Sequence, residues 1–193
     1  MFDSEQSNLP TKLRYTAQII RLTGWVSFWF QAVLGIVSSV IFLFAAILSP
    51  KGAAGNNPAL GGVIFLAVLS LLALCFTIYQ SFIYTRIARK LLDREPNLRP
   101  KKTDTLAQIK RGLIANLAGM LLAVLGAEAI TGVLLGKSIA LSQGSIAILN
   151  PQNLQNIIQP LDIFIVLANT HTITAHFGGI VASLWLLDRL KSN

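Results

Sequence analysis

Two histidines stand inside an apolar run, where lipid-compatible residues are otherwise the rule. His171 and His176 belong to the stretch NTHTITAH at 169–176. Asn169, Thr172 and His176 are spaced i, i+3, i+7 and share one helical face. Asp162, seven residues before Asn169, falls at the mouth of the same face. Glu128 is the carboxylate of an earlier apolar run, and Gln31 and Asn116 add amides to two others. Ionisable groups are costly in a bilayer, so such residues usually face a cavity or a partner. Imidazole and carboxylate together suit divalent transition metals such as iron or zinc, and a histidine can relay protons. His171 and His176 are about 140° apart at 100° per residue, so one ion need not meet both within a single chain.

Two readings follow from these residues. In the first they form a polar path for a metal ion. Asp162 lies at the mouth, then Asn169, Thr172 and His176, with Glu128 contributed from the third run. His171, His176, Glu128 and Asp162 are the candidate metal ligands, and Asn169, Thr172, Gln31 and Asn116 line the path. In the second reading the same side chains form a buried hydrogen-bond network that joins the helices. The residues alone leave both open. Cys75 reads as a small packing residue.

The elements that must position these residues are four long apolar runs. They lie at about 25–48, 63–84, 113–135 and 164–187. A membrane-crossing helix needs about 20 mostly apolar residues, and backbone groups in lipid must be satisfied within the segment. The expectation is therefore an all-α polytopic membrane protein with four transmembrane helices. No alternating ten-residue segments suggest a β-barrel. The composition agrees: 193 residues, 53% hydrophobic, 12% charged, with a mean hydropathy of +0.62. Soluble domains carry about twice that share of charge. One cysteine allows no intramolecular disulfide.

The net charge of +8 and pI near 10.1 are explained by topology. Fourteen basic residues precede the first run, follow the last or fall between the second and third; only Lys51 and Lys137 lie in the other two loops. By the positive-inside rule both termini and the central loop face the cytoplasm. No basic patch is interleaved with stacking aromatics, so nucleic acid is not an expected partner; the lipid bilayer is.

The remaining segments are short. Residues 1–24 form an amphipathic N-terminal segment, with a helix expected from Pro10 to Thr23 that can extend the first span. Residues 25–187 make the transmembrane domain and 188–193 a cytoplasmic tail. The second helix is expected to stop at Pro96, with a turn over 97–102. Thr105 to Gln108 has capping-box spacing and predicts the start of the third helix. Asn150 and Pro151 predict a short interfacial helix carrying Leu154, Ile157 and Ile158. Small residues recur on one face of each of three runs: Gly24, Ser27, Gln31, Gly35 and Ser38; Ser70, Ala73, Thr77 and Ser81; Gly112, Asn116, Gly119, Ala123 and Gly126. They predict close helix packing. Asp3 and Glu5 at the start do not fit an Arg/Ser-rich, acid-poor transit peptide, so a bacterial or already processed chain is expected. No HExxH, GxSxG or Walker pattern occurs, and neither an enzyme nor a nucleotide-driven pump is expected.

Three stretches carry a family resemblance. They are LRYTAQIIRLTGWVSFWFQAVLGIVSSVIFLFA (13–45), FTIYQSFIYTRIARKLLD (76–93) and NTHTITAHFGGIVASLWLLDR (169–189), with the proline-containing basic loop between the last two. Jointly they resemble the cyanobacterial and chloroplast four-span family typified by the chloroplast inner-envelope iron permease, also described as a twenty-one-kilodalton component of the inner-envelope protein-import translocon. The resemblance implies a multi-pass protein of the cell's inner (plasma) membrane or the thylakoid. It implies two competing functions: a permease for iron or another divalent metal, or a structural, translocon or assembly component of a membrane protein complex. A permease of four spans would work as a homo-oligomer, with the metal as substrate and no permanently bound cofactor. The resemblance assigns no ligand residues.

Overall fold

The computed structural model describes residues 11–48, 58–93, 95–142 and 158–192. Four long helices carry the chain: α1 (Thr11–Leu48), α2 (Pro58–Leu91), α3 (Lys102–Ser142) and α4 (Pro160–Ser192), with a 3-10 turn at Pro96–Leu98. Among the described residues there is no strand. All four helices are long and apolar enough to cross a membrane. The short interfacial helix expected at 150–158 falls almost wholly outside the described residues.

The helix ends follow local chemistry. Pro58 and Pro160 open α2 and α4, where a missing N–H costs nothing and the fixed φ suits the first turn. Arg89 and Lys90 end α2 against the negative end of its dipole. The turn that follows is held by Arg99, whose Nε donates to the Asp93 carbonyl at 3.0 Å. The capping-box expectation at Thr105 is corrected. α3 begins at Lys102, and Thr105 lies inside its first turn, donating both N–H and Oγ1 to the Lys101 carbonyl. α1 runs unbroken from Thr11 to Leu48, so the N-terminal helix extends the first span.

α1 packs on α2 and α4, and α3 packs on the same two, while α2 and α4 touch across the diagonal. The pairing is antiparallel: Ser27 meets Ser81, Ser38 meets the Ala168 carbonyl, and Lys137 meets Asp162. The predicted small-residue faces are the buried ones, except that Ala73 is half-buried. Large apolar side chains such as Ile36, Leu43, Phe65 and Leu121 point outward and are exposed. Water would not tolerate such a surface; the bilayer covers it.

The interior changes character along its length. At the basic end Ile20, Ala88, Leu91, Ile109, Leu186 and Leu190 form an apolar core. In the middle, polar side chains are buried as well: Ser27, Gln31, Ser70, Thr77, Ser81, Asn116, Asn169, Thr172 and His176, with Leu74, Ala123, Ala168 and Ala175 among them. α1 has 38 residues, about 57 Å at 1.5 Å per residue, against a hydrocarbon layer of about 30 Å. The helices outrun the bilayer. Where they stand in water an apolar core holds them; within lipid, where burying apolar surface gains little, hydrogen bonds and small residues do so.

Candidate functional site

The polar centre is built on His176, which has no exposed surface. Its ring lies against Gly119 of α3, where any Cβ would overlap the imidazole. Nδ1 lies 3.2 Å from Asn116 Oδ1 and Nε2 lies 3.3 Å from the Ser70 carbonyl oxygen. The Asn116 amide is oriented by its own Nδ2, which donates to the Gly112 carbonyl at 3.0 Å. Its Oδ1 also accepts from Gln31 Nε2 at 2.8 Å. Gln31 Nε2 donates in addition to the Ala175 carbonyl, and Gln31 Oε1 accepts from Ser81 Oγ at 3.3 Å. Ser81 and Ser27 close the series with their hydroxyls 3.1 Å apart. Side chains from all four helices therefore meet in one hydrogen-bonded chain.

Both ring nitrogens of His176 face carbonyl oxygens. A neutral imidazole has one N–H. It satisfies one of these oxygens and leaves a nitrogen lone pair facing the other. The centre is thus rich in acceptors. Gly179 allows the close approach of α4: a Cβ there would strike the Gln31 and Asn116 amides.

The structure sorts the expected residues. Asn169, Thr172 and His176 are all buried, as their shared face requires. Asn169 Nδ2 donates to the Ala123 carbonyl at 2.9 Å, and its buried Oδ1 has no hydrogen-bond partner. Thr172 Oγ1 and Ser38 Oγ both donate to the Ala168 carbonyl. His171 is half-buried, and its Nδ1 is buried without a hydrogen-bond partner. Gln31 and Asn116 join His176 directly.

Two expected ligands stand elsewhere. Glu128 is exposed on α3. It lies two residues beyond buried Gly126, about 200° around the helix, and so faces away from the bundle. Asp162 is ion-paired with Lys137 at 2.7 Å and accepts from the Gln159 N–H at 2.9 Å, capping α4. No group of three or more His, Cys, Asp or Glu side chains able to hold a metal ion exists among the described residues. The four proposed ligands do not form one site within a chain. Ser27 and Ser81, read from the sequence only as packing residues, extend the polar chain; their helical faces were visible, but which serine would meet which was not.

Four antiparallel apolar helices around a buried polar centre define a polytopic membrane protein. Residues 10–191 match the family model described as "Protein of unknown function (DUF3611)", and the chain belongs to that family. It is 30% identical over 184 residues to Protein TIC 21, chloroplastic, from Arabidopsis thaliana. That alignment covers 94% of this chain and 60% of the plant protein. No solved structure matches.

Proposed function

We propose that this protein is an inner-membrane permease for iron or another divalent metal ion, with no ATPase activity of its own. The observation that carries the reading is His176, an acceptor-flanked imidazole at the point where the four helices converge. An ionisable group so placed is expensive in lipid and points first to function. His171, one to two turns nearer the Asp162 end, adds a nitrogen with no hydrogen bond. The exposed carboxylate of Glu128 supports a homo-oligomer, since assembly would remove it from lipid. The one-sided basic bias supports an orientation with both termini in the cytoplasm.

A second reading is a structural or translocon component of a membrane protein complex. Its support is the closure of the polar centre: the amides and hydroxyls bond to one another and glycines admit no further bulk. The similarity to Protein TIC 21 is compatible with both readings.

Uptake of iron and zinc into proteoliposomes holding only the purified chain separates them. The permease reading expects saturable uptake that His171→Ala and His176→Ala together abolish while the protein stays folded and inserted. Absence of uptake by the folded, inserted parent chain would overturn it and leave the scaffold reading.

A further inference from the structure

We infer that the basic end of the bundle holds a binding site for a small anionic amphiphile, a medium-chain carboxylate of the fatty-acid class, seated between α1 and α3 with its anion at Lys12 and Lys102. This site is separate from the polar centre and independent of metal transport.

A cavity of about 380 Å³ opens at that end. Its walls come from α1 and α3, which lie on opposite sides of the α2–α4 contact, and from the last turns of α2 and α4. Ile20, Leu91 and Leu190 are buried and form its apolar wall. Lys12 and Lys102 are exposed and form its rim. The cavity therefore grades from apolar to cationic along its depth. Thr16 and Thr105 also line it, but their hydroxyls donate to the Lys12 and Lys101 carbonyls of their own chain segments. The side-chain donors left for a ligand are the two ammonium groups. Neither is paired with a carboxylate among the described residues, and no Asp or Glu among them lines the cavity.

These features select the ligand. Clefts of this size, mostly apolar with a few convergent polar groups, are where small molecules bind. The charged groups here have one sign, so the ligand's head is an anion. Lysine presents a compact charge on a flexible stem, which suits a small head such as a carboxylate. The buried wall calls for an apolar body, since a bare inorganic anion would leave it wet. At about 30 Å³ for each water-sized group, the cavity takes roughly a dozen, which matches a carboxylate on a chain of about eight to ten carbons. A two-chain phospholipid is too large to enter. Lys12 and Lys102 stand in the first turns of helices that outrun the bilayer, so the ligand enters from the water on the basic side. Once bound, it bridges two helices that the diagonal contact of α2 and α4 otherwise holds apart.

The test uses the full chain in nanodiscs, with Thr16→Cys in a Cys75→Ser background and a water-soluble thiol reagent. Octanoate should slow the labelling of Thr16→Cys severalfold at saturation, and octanol should not. Labelling of Gln18→Cys, an exposed position on the same helix, should stay unchanged. Butanoate should need a concentration about tenfold or more above that of octanoate for the same protection, because each buried methylene contributes to binding. Lys12→Gln and Lys102→Gln should each raise the half-protecting concentration of octanoate about fivefold. Equal protection by octanol, or undiminished protection in the double lysine variant, would make the cavity a plain apolar crevice and overturn the anion site. Protection at Gln18→Cys as strong as at Thr16→Cys would mean that the amphiphile merely coats the surface, and overturns it too. Absence of protection by octanoate overturns it outright. If octanoate does nothing and Asp3→Asn with Glu5→Gln speeds the labelling of Thr16→Cys, the occupant is the chain's own N-terminal segment and not a ligand.

Discussion

Gly119 and His176 act as a unit. The ring occupies the volume that a Cβ on residue 119 would need, and its two nitrogens are placed by Asn116 and Ser70. Gly119→Ala must push the ring away from α3 or push the helices apart. Overpacking of this kind costs about 1–3 kcal/mol, and displacing the ring also disturbs the bonds that run through Asn116. Gly132 offers a matched control, since nothing stands within 4 Å of a Cβ there. Gly132→Ala should be neutral or stabilising by about 0.5–1 kcal/mol through its lower backbone entropy. Reversible unfolding in mixed micelles reads the difference. Equal stability of the two variants would show that the imidazole is not seated against α3.

At the scale of helices, Asp162 shows how one side chain can be taken for a ligand and serve as a joint. It stands at the third residue of α4 and reaches back to the Gln159 N–H, half of a capping box. The same Oδ2 receives Lys137 Nζ from the end of α3. Asp162→Ala should therefore cost about 0.5–2 kcal/mol, the usual value of an N-terminal cap. Lys137→Ala should cost about 0–1 kcal/mol, as partly solvated ion pairs do. Because the cap does not need the lysine, a double-mutant cycle should give a coupling smaller than the cost of Asp162→Ala. Metal uptake should stay at the parent level in both single variants. Loss of uptake in Asp162→Ala with stability intact would return this carboxylate to the path. The four helices were legible in the sequence because lipid demands a run of about 20 apolar residues, and their buried faces were legible because small residues recur at helical spacing. That phase also bears on Glu128: two residues past Gly126, it had to point away from the face that Gly126 shares with Asn116 and Gly119. Partners across helices were not legible. Periodicity places Asp162 on a face but cannot say that Lys137, 25 residues earlier, will meet it, and it places Ser27 and Ser81 on two faces without pairing them.

The whole molecule has two unlike ends. At one, Lys12, Arg14, Arg21, Arg86, Arg89, Lys90, Lys101, Lys102, Arg189 and Lys191 gather on helix ends that extend past the bilayer over an apolar core. Arg86 lies over the Phe82 ring at 5.1 Å and Arg189 over the Trp185 ring at 4.7 Å, which anchors cations and aromatics together where an interface would lie. At the other end, Lys137 is the basic residue among the described residues, and Asp162 neutralises it. Moving the basic end across the membrane would mean translocating many cations, whereas moving the other end means translocating almost no net charge. Insertion should therefore leave the basic end in the cytoplasm. Reporter fusions at the N-terminus, at Arg99 in the central turn and at the C-terminus should all read as cytoplasmic: fluorescent with a green fluorescent protein and inactive with alkaline phosphatase. A phosphatase inserted between α3 and α4 should be active. An active phosphatase at the C-terminus of a folded, full-length fusion would mean that the charge asymmetry does not set the topology.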